Sequence, residues 1–254
     1  MKIIKKIFGM SNDSKQKIDE GKEDTRTIEK EMGLTVQNTD LSIINEDMLE
    51  FGLDFFLEEG VLRDLPVIGA VTGVYKFGRS IQTAHFTKKI VNFLFELKPT
   101  TIDERNEFIK SIEEESGYLE NVGEQLILII EKTDNFYKAK LLGKLLTASI
   151  KKEITYQEFL YLGHMVNNNH LQHLRALKNT FDDGKYYIHK LSDFEISSLI
   201  RGGIMETYNE AKDYKEQIQK DGKATLGNKT SVLHKEAWEK KITKEGHLIL
   251  TYGF

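Results

Sequence analysis

The chain contains no cysteine. Disulfides, thiolate zinc sites and a cysteine nucleophile are thereby excluded, and the composition fits a reducing cytosol. Only two prolines occur, Pro66 and Pro99, which leaves long stretches free to be helical. There is no basic excess: the formal net charge is -4, so the chain-wide footprint of a nucleic-acid binder is missing. No run reaches the roughly 18 apolar residues that a membrane-spanning helix needs. Residues 1–9 lack the long apolar core of a signal peptide. The expected address is the cytoplasm, with peripheral contact to the inner membrane.

Catalytic signatures are missing too. Gly69, Gly73 and Gly78 are not followed by Gly-Lys-Ser/Thr, so they make no phosphate loop. No Gly-x-Ser-x-Gly elbow occurs. Glu113, Glu114 and Glu115 are adjacent and do not share a helix face, whereas paired-carboxylate catalysis needs two acids held facing each other. His164, His170 and His173 form the densest histidine group. His170 and His173 could converge on one helix, but no acid sits beside them, and a metal needs convergent ligands. Surface or capping histidines are expected, and with them a non-enzymatic protein without metal or cofactor.

What is present is a 254-residue chain, enough for one large domain or two small ones. Its most distinctive part is residues 61–78, uncharged from Leu65 to Tyr75 in an otherwise polar protein. Gly69 and Gly73 form a small-xxx-small pair that lets helices approach closely. At roughly 1.5 Å per residue the segment is too short to cross a core of about 30 Å. Two roles fit it: a core helix in a soluble bundle, or a segment that enters or lies in a bilayer after homo-oligomerisation. Leu65, Pro66, Val67, Ile68, Gly69, Gly73, Val74 and Phe77 are the expected contact residues, toward inner-membrane lipid or a phage or host protein. Lys2, Lys5 and Lys6 alternate with Ile3, Ile4, Ile7 and Phe8 and read as a short basic amphipathic anchor.

Residues 1–44 otherwise read as a flexible tail or loosely held helix. Helical spacing starts at Asn45 and resumes through Phe86, Ile90, Phe93, Leu94 and Leu97, ended by Pro99. Thr101-x-x-Glu104, Thr155-x-x-Glu158 and Ser192-x-x-Glu195 are capping boxes that open helices. The run Leu126-Ile127-Leu128-Ile129-Ile130 is apolar on all sides and predicts a helix buried between others. Thr133-Asp134 can cap the next helix, in which Ala139, Gly143 and Ala148 suit close packing. Asp182-Asp183-Gly184 is a turn signal. From Thr155 onward the order is helix, helix, helix, strand, polar excursion, strand, then a tail that could be strand or helix. The expected fold is mainly α: a helical bundle over 45–152, followed by a small winged-helix-like α+β domain over 153–254. Asp193, Glu195 and a single Arg201 make a poor face for phosphates, so nucleic acid is not the expected partner. A DNA-binding transcriptional regulator is the rival reading.

Four runs carry a family resemblance: Asp64-Leu65-Pro66-Val67-Ile68-Gly69, Lys88-Lys89-Ile90-Val91-Asn92-Phe93-Leu94, Lys138-Ala139-Lys140-Leu141-Leu142-Gly143-Lys144-Leu145-Leu146 and Ile242-Thr243-Lys244-Glu245-Gly246. Together they resemble small bacterial helical proteins whose layout is similar to abortive-infection proteins of the alpha type. Those have a helical body and a winged-helix-like tail with a Leu-Thr-x-x-Gly ending. The resemblance covers about residues 45 to 250. This chain has Ile242 where leucine is usual, and a longer excursion before it. The resemblance implies a role in anti-phage defence, as a growth-arresting or membrane-targeting effector.

Overall fold

The computed structural model describes residues 27–50, 65–74, 81–115, 122–209 and 238–254. Its helices are α1 (Ile28–Asn38), α2 (Asp47–Glu50), α3 (Pro66–Val74), α4 (Ile81–Phe95), α5 (Ile102–Glu115), α6 (Val122–Glu131), α7 (Phe136–Ile150), α8 (Tyr156–Asn168), α9 (Leu171–Asn179), α10 (Asp193–Arg201) and α11 (Lys244–Tyr252). Two short 3-10 helices, Leu41–Ile43 and Ile188–Lys190, and two antiparallel strand pairs complete the described elements: β1 (Phe181–Asp182) with β2 (Lys185–Tyr186), and β3 (Met205–Asn209) with β4 (Trp238–Ile242). The chain is thus mainly helical. Lys2, Lys5, Lys6 and Phe77 lie outside the described residues.

Helix α7 is the centre of the core. Its Ala139, Leu142, Leu145 and Leu146 are fully buried, against Phe93 and Leu94 of α4 and Phe159 and Leu162 of α8. Gly143 explains how closely α4 and α7 approach: a Cβ there would lie 2.4 Å from the Phe93 carbonyl oxygen. One contiguous cluster of buried residues runs from Met32 to Leu250, so packing does not break at the expected 152/153 boundary. In α6, Leu126, Ile127, Ile129 and Ile130 are buried while Leu128 is 40% exposed, so the run is buried on most sides rather than all.

The second half of the expected tail is not a tail. Residues 28–44 contribute Met32, Val36, Leu41 and Ile44 to the core. Helix α1 starts on Thr27, whose side chain accepts from the Lys30 amide. It then crosses α6 where two glycines meet: a Cβ on Gly123 would stand 2.0 Å from the Glu29 carbonyl oxygen and 2.7 Å from the Gly33 nitrogen. Contact of backbone with backbone leaves no apolar stripe wide enough to be recognised by periodicity.

All three capping boxes form, each with the glutamate reaching back to the cap amide and the cap hydroxyl meeting the glutamate amide. Helix α7 differs from expectation: Asn135, not Thr133 or Asp134, is its cap, accepting from the Tyr137 amide. The Thr133 hydroxyl instead faces the Ile129 carbonyl and Asn167 Oδ1. Asp183 (φ 45°) and Gly184 (φ 75°) both take the left-handed conformation of a two-residue type I′ hairpin turn, as their sequence demands. The final element is helix, with Thr243 capping α11 through the Gly246 amide.

Helix C-termini are closed by cations from neighbouring elements. Arg105 of α5 reaches the end of α1, Lys89 of α4 donates to the Glu131 and Thr133 carbonyls after α6, and Lys178 of α9 donates to the Leu250 carbonyl of α11. Each places positive charge on the negative end of a helix dipole and satisfies carbonyls that the helix cannot.

The capping glutamates have a pH signature. Hydrogen bonds from Thr101 and Thr155, backbone amides foremost, hold Glu104 and Glu158 below their ordinary value of 4.5. The Ser192 hydroxyl, then its amide, does the same for Glu195. A depressed carboxyl contributes stability that is complete above pH 4.5 and lost as pH falls through the folded-state value. The triple variant Glu104→Gln, Glu158→Gln, Glu195→Gln is expected to flatten that acid limb in urea midpoints measured below pH 5. A slope equal to the wild type's would contradict the assignment.

Candidate functional site

Helix α3 carries Pro66, Val67, Ile68, Gly69, Gly73 and Val74 of the predicted contact residues, and Leu65 directly precedes it. Pro66 sits at its first position, where a missing N–H costs nothing. The next amide, of Val67, donates across to Thr35 Oγ1 of α1 at 3.1 Å, and that hydroxyl donates in turn to the Glu31 carbonyl at 2.7 Å. A single hydroxyl on α1 therefore caps α3. Leu65, Val67, Ile68 and Val71 are fully buried, while Pro66 and Gly69 are half-buried and Gly73 is exposed. Val74 is the last residue of the helix. The helix packs chiefly on α1 and less on α4. Among the described residues nothing comes within 4 Å of a Cβ added at Gly73, so the glycine pair does not mark a close crossing at that end. Its apolar face is stored in the core, and among the described residues no helix is long and apolar enough to cross a membrane.

A second constellation is assembled from three helix starts. Asp134, Asn135 and Tyr137 at the head of α7, His170 to His173 and Arg175 at the head of α9, and Phe194 at the head of α10 line a cleft of about 520 Å³. The His173 ring meets His170 at 5.2 Å between centroids and Phe194 at 5.4 Å, both edge to face. Arg175 lies over the Tyr137 ring at 4.3 Å. Tyr137 and Phe194 are 53% and 68% exposed, large aromatic surfaces for a protein to leave in water. His170 and His173 thus converge as their spacing predicts, whereas His164 is exposed on α8 and does not line the cleft. Among the described residues no group of three or more histidines and acids could hold a metal ion.

Tyr137, Arg175 and Phe194 carry no signal in the sequence as site residues. They come from helices far apart in the chain, and each on its own reads as surface.

A larger hollow of about 650 Å³ lies between α5 and the turn joining α7 to α8. Glu104 and Glu158 are held there in their capping boxes, and Lys152 stands 3.9 Å from Glu107. That arrangement fits a structural hollow better than a receptive site. No family model, curated protein or solved structure matches this chain.

Proposed function

We propose that the chain is a non-enzymatic effector of the abortive-infection type, which stores the uncharged helix α3 in its core and acts when that helix is passed to the inner membrane or to a protein partner. The observation that carries this reading is the way α3 is held. Leu65 just before it and three aliphatic residues of the helix itself are buried, and its main neighbour is α1, which also supplies its cap through Thr35. Burying four such side chains stabilises by together about 6–12 kcal/mol. That is comparable to the whole stability of a domain, so α3 does not leave unaided. A bilayer interface or an apolar groove would return most of it. Nine residues are too few to span, so α3 would lie in the interface or act in an oligomer.

The C-terminal part is read as winged-helix-like: α8, α9 and α10 take the helical positions and β3 and β4 the strands, while the expected excursion between them lies outside the described residues. The charge of α10 favours a protein contact over DNA. Asp193 is 98% exposed and pairs with Lys240 of β4, which offsets one of the nearby cations. A gel shift at low salt is expected to show no retardation; a salt-dependent shift would install the DNA-binding regulator instead.

Flotation with anionic liposomes tests the membrane reading, using protein from overexpressing cells. Gly69→Asp, which puts a charge on α3, is expected to abolish association. Thr35→Val keeps the shape of the side chain but orphans the Val67 amide, at a cost of about 1–3 kcal/mol. It is expected to raise the bound fraction. Equal flotation of wild type and both variants would reject delivery of α3 to a membrane.

A further inference from the structure

We propose that the cleft at the heads of α7, α9 and α10 binds an oxyanion, phosphate or carboxylate, attached to a planar aromatic body. This inference is independent of α3 and of the effector reading.

The electrostatics come first. Three helix N-termini open on one cleft, and each presents positive partial charge there. Two are closed by their own chain: Asn135 caps α7, and Ser192 with Glu195 caps α10. The third is open. His170 caps α9 without a side-chain hydrogen bond, and the Leu171 and Gln172 amides of the first turn have no partner among the described residues. Unpaired amides at a helix start are the usual seat of an anion.

A buried side chain points to a ligand independently. His173 is only 9% exposed, and its Nδ1 is sealed from solvent without a hydrogen-bond partner. A buried ring nitrogen without a partner is a cost that a bound polar group can remove. Arg175 adds a full charge. It is exposed, stacked on Tyr137, and makes no ion pair among the described residues, so its planar fork is free for a bidentate oxyanion. Asp134, the one acid lining the cleft, is 3.0 Å from Lys138 Nζ, which offsets its charge.

The aromatic half of the ligand follows from the walls. Tyr137 and Phe194 offer exposed rings on which a planar group can stack or pack edge to face. A volume of about 520 Å³ is that of a small-molecule site.

The test titrates the full chain with phenyl phosphate, benzoate and the uncharged benzyl alcohol, reading the histidine ring resonances by NMR. Phenyl phosphate or benzoate is expected to move the His170 and His173 signals and leave His85 and His247 in place. Whichever of the two binds tighter identifies the oxyanion. Benzyl alcohol is expected to bind at least about tenfold more weakly, the loss of one charge-assisted contact. Arg175→Met, an exposed change, is expected to keep the melting temperature and to weaken the aromatic anion at least about tenfold. The proposal is overturned if neither anion moves those signals up to about 10 mM. Binding of benzyl alcohol as tightly as the anions, or an Arg175→Met variant that binds like the wild type, overturns it equally.

Discussion

Gly123→Ala is expected to lower the unfolding free energy by about 3 kcal/mol or more, at the upper end of overpacking changes. The added methyl would stand 2.0 Å from the Glu29 carbonyl oxygen and 2.7 Å from the Gly33 nitrogen. Both are backbone atoms of α1 and cannot rotate away. The helix must shift as a body, and it carries Met32 and Val36 of the core and the Thr35 hydroxyl that caps α3. The matched control is Gly73→Ala, at an exposed helical position with open space around the new Cβ. That change removes only the entropic cost of glycine and is expected to be neutral or to stabilise by up to about 1 kcal/mol. Urea midpoints with unchanged m-values read both. If Gly123→Ala unfolds at the wild-type midpoint, α1 does not pack on α6 as described.

Arg105→Met is expected to cost about 3–5 kcal/mol, the range for breaking a buried polar network. Arg105 is 2% exposed. Its Nε donates to the Val36 carbonyl at 2.7 Å, one terminal nitrogen to the Thr39 carbonyl at 2.6 Å, and the other to the Thr100 carbonyl at 3.0 Å. Methionine matches the stem and removes every donor, which leaves those carbonyls buried without a partner. Burial lowers the guanidinium from its ordinary value, with Asp40 and Glu104 opposing, yet an arginine in a protein stays charged. Arg105→Lys is expected to recover less than half of the loss, because one ammonium cannot reproduce a planar fork that spans three carbonyls. Hydrogen exchange should show α1 opening before α7 in both variants. A Met variant within about 0.5 kcal/mol of wild type would refute the assignment.

These two residues mark where the sequence was opaque. Gly123 precedes an apolar run and looks like a helix start, and Arg105 looks like a solvated charge on the first turn of α5. Neither announces α1, whose attachment runs through backbone contact and carbonyl capping rather than through a broad apolar stripe. The polar stretch before Asn45 therefore has the sequence character of a tail. Other features were legible because their causes are local. The three capping boxes, the Asp183-Gly184 turn and the buried face of α4 depend on neighbours within four residues, so spacing alone specifies them. The convergence of His170 and His173 was local as well. The cleft around them was not, since Tyr137 and Phe194 reach it from other helices.

For this protein the sequence by itself determined a mainly helical chain, the start points of the three helices that open on capping boxes, and an uncharged apolar segment too short to span a bilayer. Those are properties of propensity, period and length. Only the tertiary structure decided that Pro66–Val74 is a helix with three residues buried, that its cap is Thr35 of α1, and that three helix heads meet at one cleft. The physical reason is the same in each case. The deciding contacts join residues tens of positions apart, and a long-range contact leaves no mark on the periodicity of either partner.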